Sequence, residues 1–166
     1  MNNKNEAENI GRFMFSVGAL IQYKDTDQIL IIRRKDKFNK DEWELLYGRK
    51  AQHEGIEEAL LREIQEEVHL FNVSIIKALR IWRIYRSNDG KRKSENELIG
   101  ITFWCRTDVK QVELGNEHED YKWVSSLEAL KVISIDGIKK DIEIFREKHK
   151  ELGIGFSPLD RNYKFL

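Results

Sequence analysis

The sequence predicts an α/β fold, and three observations support that prediction. Apolar, β-branched and aromatic residues recur in strand-length runs in both halves of the chain. A glutamate-rich segment with helical spacing lies between these runs, and a second charged helical segment follows near the C-terminus. The 166 residues suit a single domain, 1–166, with a polar N-terminal extension at 1–12 and a C-terminal tail at 153–166.

The predicted strands form two pairs. Residues 13–24 and 29–35 are expected to form a hairpin, because the polar residues 25–28 separate the two apolar runs. The second pair joins one long or bent strand at 71–86 to a returning strand at 97–107, across a segment with turn composition.

A short strand and two helices complete the predicted fold. Residues 122–124 form the strand, and a short helix follows it with Ser125 or Ser126 as its N-cap. A longer amphipathic helix runs from Gly137 to about Leu152. The residues expected to face inward on this helix are Ile138, Ile142, Ile144 and Phe145.

Composition limits the classes of partner and compartment. Lys plus Arg and Asp plus Glu number 29 each, so the net charge is zero and neither nucleic acid nor an anionic membrane is an expected partner.

The single cysteine, Cys105, lies in an apolar run and is expected to be a small core residue in a reducing compartment. No apolar run approaches the roughly 20 residues of a membrane span, and the N-terminus lacks the apolar core of a signal peptide. A cytoplasmic location is therefore expected.

The glutamate-rich segment carries the clearest functional pattern. Glu63, Glu66 and Glu67 fall inside an arc of about 100° on a helix, so their carboxylates project together. Such a cluster is either a solvated helix face or a site for a hard cation such as Mg²⁺ or Mn²⁺. Glu54 and Arg62 add opposite charges nearby, which favours the cation site.

The spacing of these residues resembles the Nudix box of MutT-like pyrophosphohydrolases. That pattern places Gly, Glu, Arg-Glu, an aliphatic residue, Glu-Glu and a second aliphatic residue in fixed register. The matching positions are Gly48, Glu54, Arg62, Glu63, Ile64, Glu66, Glu67 and Leu70. The resemblance implies a Nudix-type α/β/α sandwich with a mixed sheet and a catalytic loop-helix-loop. It also implies Mg²⁺ or Mn²⁺ as cofactor and a small, nucleotide-like diphosphate as substrate.

The chain departs from the family pattern in three places. Leu46-Tyr47 precedes the box where Pro-Gly-Gly is frequent, and His53 occupies a position where Gly is usual. His69 replaces the Gly that ends the helix in a left-handed conformation in the family. Because a non-glycine residue there costs about 1 kcal/mol, a modified helix end is expected.

A second acidic segment, residues 116–124, resembles the region before the late strand in several Nudix branches. The resemblance makes Glu117 the candidate fourth acid, as metal ligand or general base. Glu119 and Asp120 are alternatives, and a charged surface loop is the competing interpretation. His118 is expected to hold that loop rather than to take part in chemistry.

The expected roles follow from the resemblance. Glu63 and Glu67 are the principal metal ligands, Glu66 shares a metal directly or through water, and Glu117 joins them. Glu54 and Arg62 form an ion pair that orients the loop and the helix. The residues expected to serve catalysis are Glu54, Arg62, Glu63, Glu67 and Glu117.

Substrate contacts are less strongly indicated by the sequence. Tyr47 and Trp82 are candidates for stacking on a base, although core packing is the competing interpretation for each. Gly48 allows close approach of the backbone to a ligand. Arg33 is a candidate for phosphate binding, and its neighbour Arg34 points to the opposite face of the strand, so only one of the two can reach a common cleft.

The predicted function is Mg²⁺-dependent pyrophosphohydrolysis of a nucleoside diphosphate linked to another moiety, or of a nucleoside or pterin triphosphate. One alternative is a Nudix-fold ligand-binding or regulatory protein without turnover. Another is an isopentenyl-diphosphate-isomerase-like enzyme, which requires a catalytic cysteine near the cleft. The C-terminal tail is expected either to pack as an arm or to mediate a homodimer.

Overall fold

The computed structural model of the protein describes residues 13–35, 42–85 and 97–152. This part of the chain contains seven strands and three helices. In chain order they are β1 (Met14–Tyr23), β2 (Gln28–Arg34), β3 (Trp43–Glu44), β4 (Leu46–Arg49), α1 (Ile56–Val68), β5 (Val73–Tyr85), β6 (Glu97–Thr107), β7 (His118–Ser125), α2 (Ser126–Val132) and α3 (Asp136–Leu152). The predicted extension at 1–12 and tail at 153–166 lie outside the described residues.

The seven strands form one mixed sheet in the order β3-β2-β1-β6-β5, with β4 added to β1 and β7 added to β2. β1 runs parallel to β6 over its whole length, from Met14 opposite Leu98 to Tyr23 opposite Thr107. The remaining pairs are antiparallel. A parallel pair so far apart in sequence requires a crossover connection, and α1 lies within that crossover.

Helices cover both faces of the sheet. On one face, Leu60 and Ile64 of α1 pack into a core with Val17 of β1. On the other face, Ile142 and Phe145 of α3 pack into a second core. This arrangement is an α/β/α sandwich, and it confirms the predicted fold class.

Several predicted elements are confirmed, with shifted ends. The hairpin of β1 and β2 and the antiparallel pair of β5 and β6 are present. Ser125 is the N-cap of α2, where its side chain accepts a hydrogen bond from the Glu128 amide. The strand predicted at 122–124 is longer in the structure, where β7 begins at His118 because its residues pair with β2 as far as His118, across one bulge. The short strands β3 and β4 were not predicted.

The end of α1 differs from the expected modification. His69 keeps the left-handed conformation, with φ of 50° and ψ of 34°. Its amide donates to Gln65 O, and its Nδ1 lies 2.8 Å from Glu113 O. The expectation of a modified helix end was therefore wrong, since this imidazole contact offsets part of the backbone strain.

Cys105 is fully buried, as predicted, and burial raises the pKa of its thiol well above the ordinary range. Such a thiol is a poor nucleophile, which argues against the isomerase-like alternative.

None of the helices in the described ranges is long and apolar enough to cross a membrane.

Candidate active site

Gly48 sets how closely α1 approaches the sheet. It lies on β4, where Ser16 Oγ donates to its carbonyl at 2.7 Å. A Cβ at this position would lie 1.9 Å from Cδ of Glu63. Because the position has no side chain, the Glu63 carboxylate lies against β4 and accepts a 3.0 Å hydrogen bond from the Arg49 amide.

Arg62 joins the loop and the helix through its guanidinium. Its Nε and Nη2 donate to the two carboxylate oxygens of Glu54 at 2.6 and 3.1 Å, in a bidentate arrangement. Its Nη1 donates to Glu63 and Glu66, both at 3.0 Å, and Nη2 also donates to Arg49 O at 2.9 Å. The hydrogen bonds from Arg62 hold the pKa of Glu54 at about 2. The expected ion pair is present, and it ties the loop before α1 to the acidic cluster.

Glu67 is buried in surroundings that disfavour the charged form of its carboxyl group. Its Oε2 is buried and has no hydrogen-bond partner among the described residues. Burial, followed by the nearby charges of Glu63, Glu117 and Glu44, raises the pKa of Glu67 to about 8, and Arg34 opposes that rise. A buried carboxylate with other acids around it is a place where a cation would be strongly stabilised.

Glu117 is brought to the same region by the start of β7. Its side chain is 66% exposed, and Arg34 Nη2 donates to it at 3.1 Å. These two residues line an open cavity of about 340 Å³ together with Lys35 and Asn116. The predicted fourth acid therefore lies near Glu67, beside solvent that a substrate could displace.

His118 lies in a position that the sequence did not indicate. It is 2% exposed, and neither ring nitrogen has a hydrogen-bond partner among the described residues. Its Nε2 lies 3.9 Å from Glu67 Oε2 and 3.8 Å from Glu44 Oε1. The charged run around His118 resembles a surface loop in the sequence. Only the pairing of β7 with β2 turns this side chain inward.

Tyr47 and Trp82 are held in a separate polar network on the α3 side of the sheet. Tyr47 Oη and Thr102 Oγ1 donate to Asp141 at 3.1 and 2.7 Å, and Trp82 Nε1 donates to Thr102 at 3.0 Å. Arg80 Nε completes the network with a 2.5 Å contact to Asp141. Burial, followed by the Asp141 charge, raises the pKa of Tyr47 well above its ordinary value. Two candidate substrate residues thus have buried partners in this network.

The two neighbouring arginines of β2 point in different directions, as strand geometry requires. Arg33 pairs with Glu119 at 3.1 Å, and its guanidinium lies 5.4 Å from the Trp43 ring centroid. Arg34, by contrast, faces Glu117 and the cavity. The structure thus brings Arg34, and not Arg33, to the acidic cluster.

The acidic side chains fit a divalent cation by their chemistry, although they are not gathered around one point. No three His, Cys, Asp or Glu side chains within the described ranges are arranged to hold a metal ion as they stand. Arg62 draws Glu63 and Glu66 towards itself, and Arg34 draws Glu117. The unpartnered buried oxygen of Glu67 and the carboxylates around it are nevertheless the type of donor that Mg²⁺ and Mn²⁺ prefer.

Comparison with known families identifies the chain. The model of the Nudix domain matches residues 12–147, which include α1 and the acidic cluster. The chain belongs to the Nudix family. The resemblance found in the sequence is confirmed over most of the chain.

Individual relatives of this Nudix chain match it at modest sequence identity. Nucleoside triphosphatase NudI of Escherichia coli O17:K52:H18 is 36% identical over 89 residues, which cover 50% of this chain and 61% of that protein. The match therefore spans less than two thirds of that relative's length.

Two solved structures share the fold. The dihydroneopterin triphosphate pyrophosphohydrolase of E. coli has a TM-score of 0.68 at 20% identity, covering 82% of this chain and 99% of that chain. The MutT protein of Methanosarcina mazei Go1 has a TM-score of 0.65 at 24% identity, covering 83% and 96%. At these identities, the structural likeness establishes the fold alone.

Proposed function

We propose that this Nudix protein is a Mg²⁺- or Mn²⁺-dependent pyrophosphohydrolase. It cleaves the diphosphate linkage of a nucleoside diphosphate joined to another moiety, or of a nucleoside or pterin triphosphate. The observation that carries the proposal is the buried, unpartnered oxygen of Glu67 beside three other carboxylates. Such a group must be neutralised by a proton or by a cation, and a cation at this position would be stabilised by all four carboxylates together.

Glu63, Glu66, Glu67 and Glu117 would hold the metal. A bound divalent cation neutralises the diphosphate oxygens and makes a water molecule more acidic. Glu63 would offer Oε2 to the cation, because its hydrogen bonds to the Arg49 amide and to Arg62 are both made through Oε1. Glu66 and Glu117 would have to share their carboxylates between the cation and Arg62 or Arg34. Glu67 would give up a proton instead of a hydrogen bond, because its buried oxygen has no partner within the described residues and its raised pKa favours the protonated form.

The reaction itself is an in-line displacement at phosphorus. The water oxygen forms a bond to phosphorus, the bridging P–O bond breaks, and its electron pair leaves on the departing phosphate. We assign the water proton to Glu117, whose exposed carboxylate lies at the cavity. Glu54 and Arg62 act as positioning residues, since Arg62 fixes both Glu63 and the loop carbonyl of Arg49.

The four candidate substrate residues are not equally well placed for this reaction. Gly48 lies directly against Glu63, so a diphosphate at the acids would pass close to its backbone. Tyr47 and Trp82 would reach a substrate only after breaking hydrogen bonds in the Asp141 network. Arg34 is better placed than Arg33 for phosphate binding, because it already lies at the cavity.

Two relatives support the proposed substrate class. NudI is named as a nucleoside triphosphatase, and the structural relative acts on dihydroneopterin triphosphate. A nucleoside triphosphate and dihydroneopterin triphosphate both carry a triphosphate on a small molecule that contains a heterocyclic ring. We therefore place triphosphates of this kind first among the substrates to be tested.

The experiment is a release assay for phosphate and pyrophosphate. Nucleoside triphosphates, dinucleoside polyphosphates, nucleotide sugars and a pterin triphosphate are incubated with the protein in Mg²⁺, in Mn²⁺ and in EDTA. Turnover that needs the metal is expected with at least one substrate, and it identifies the substrate class. Tight binding of one compound without turnover of any would favour a ligand-binding protein instead.

A further inference from the structure

Unpartnered buried polar atoms converge on one place beside α1. Both ring nitrogens of His118 and Oε2 of Glu67 are buried without a hydrogen-bond partner among the described residues. Each such atom costs about 1–3 kcal/mol when nothing replaces its lost water. Three of them on two neighbouring side chains point to a ligand that satisfies both residues at once.

The distances fit a shared cation better than a direct hydrogen bond. His118 Nε2 lies 3.9 Å from Glu67 Oε2 and 3.8 Å from Glu44 Oε1, which is too far for hydrogen bonding. Two donors that each lie about 2.1 Å from one ion are separated by about 3.0 to 4.2 Å, depending on the angle between them. The observed separations lie between the values for adjacent and for opposite positions of an octahedral ion, so side-chain shifts of about 1 Å or less would let these atoms share one.

The backbone also holds His118 in place. It pairs with Arg34 in the ladder between β7 and β2, and its side chain is 2% exposed. A residue anchored in a sheet is better suited to a fixed ligand role than a residue on a loop. Nothing in the family pattern described above assigns that role to His118.

We propose that His118 Nε2 is a ligand of the divalent cation and shares it with Glu67, with Glu44 as the nearest further oxygen donor. The inference rests on the metal dependence of the proposed function. Remaining oxygens would come from Glu63 or Glu117. An imidazole donor favours transition metals over Mg²⁺.

Pulsed electron paramagnetic resonance of the Mn²⁺-loaded protein tests this directly. A directly bound imidazole gives ¹⁴N coupling, and labelling with ¹⁵N-histidine replaces it with the ¹⁵N pattern. We expect nitrogen coupling in the wild-type protein and in the control His149→Gln, whose site on α3 lies outside the acidic cluster. His118→Gln should lose the coupling while still binding Mn²⁺, with an affinity lower by about 10- to 100-fold.

The outcomes separate this inference from the proposed function. Mn²⁺ bound to the wild-type protein without nitrogen coupling overturns the role of His118 alone, and this result needs no variant to fold. Nitrogen coupling that persists in folded His118→Gln also overturns the role of His118 alone. Failure of the wild-type protein to bind Mn²⁺ overturns both the inference and the proposed metal dependence.

Discussion

At the scale of single residues, the burial of Glu67 has a measurable thermodynamic consequence. Its pKa is raised to about 8 in the folded protein, whereas an unfolded glutamate titrates near 4.5. Between these values the folded state keeps a proton that the unfolded state releases. Without metal, this group therefore lowers the free energy of unfolding as the pH rises from about 4.5 to 8.

Glu67→Gln should remove that pH dependence. In EDTA, we expect the wild-type protein to lose more stability between pH 5 and pH 8 than the variant, by on the order of 1 kcal/mol or more. Urea denaturation at both pH values measures the difference. Glu57→Gln, an exposed change on the same helix, is the matched control and should follow the wild-type protein. If the wild-type protein and Glu67→Gln lose the same stability between pH 5 and pH 8, the pKa of Glu67 is not raised by burial.

Gly48 gives a second prediction at this scale. An alanine Cβ would lie 1.9 Å from Cδ of Glu63, so Gly48→Ala must displace the carboxylate or the strand. We expect a loss of about 1–3 kcal/mol in the free energy of unfolding and reduced metal affinity. Gly137→Ala is the control, because its Cβ meets nothing nearer than 3.7 Å. A neutral Gly48→Ala would show that Glu63 does not need this close approach.

The sequence predicted the acidic residues of the cluster but not its histidine. Glu63, Glu66 and Glu67 share a helix face by spacing alone, so their proximity is a local property. The inward direction of His118 depends on the register of β7 against β2, which are far apart in the chain. A strand predicted from His118, and not only over 122–124, would have indicated the inward direction of this side chain.

At the scale of elements, the C-terminal end of α1 is held by a strained residue. His69 has a φ of 50°, where a side chain costs about 1–2 kcal/mol, and its Nδ1 contacts Glu113 O. His69→Ala keeps the strain and loses the contact, so we expect it to destabilise the protein by about 1 kcal/mol. His69→Gly loses the contact but relieves the strain, so it should be close to neutral. Thermal unfolding of both variants measures the difference, and equal effects would contradict this balance.

Element length explains which strands the sequence predicted. β1, β5 and β6 span ten residues or more, so their apolar patterns are clear in the sequence. β3 and β4 have two and four residues, which is too short for a period to be recognised. Both are formed by pairing with neighbours already in the sheet.

At the scale of the whole molecule, a buried network joins the sheet to α3. Asp141 is fully buried, and it accepts hydrogen bonds from Arg80, Thr102 and Tyr47, which lie on three different strands. Breaking a buried ion pair by removing one partner typically costs about 3–5 kcal/mol. This network is therefore expected to stabilise the fold on the face opposite α1.

Asp141→Ala should destabilise the protein by about that amount and leave Mn²⁺ affinity unchanged once folded. Denaturant unfolding and metal titration measure the two effects separately. Lys140→Ala, which breaks only an exposed pair with Glu143, is the control and should cost less than about 1 kcal/mol. A loss of metal affinity in Asp141→Ala would mean that the two faces of the sheet are coupled.

The mixed sheet as a whole could be predicted only through the family resemblance. The pairing of β1 with β6 joins residues 84 positions apart, as in Met14 opposite Leu98, and no local pattern encodes such a contact. The single-domain organisation, the homodimer and the cytoplasmic location stay predictions from the sequence. The family and its fold are confirmed.

The most direct test of the central claim is the kcat of metal-dependent hydrolysis for wild type, Glu67→Gln and Glu57→Gln on the best substrate of the panel. We expect Glu67→Gln to lose about 10²-fold or more in kcat while remaining folded, because in the proposed mechanism the Glu67 carboxylate would hold the cation that the reaction needs. Glu57→Gln should keep a kcat close to the wild-type value. Full turnover by folded Glu67→Gln would contradict the claim that this buried carboxylate is the centre of the active site.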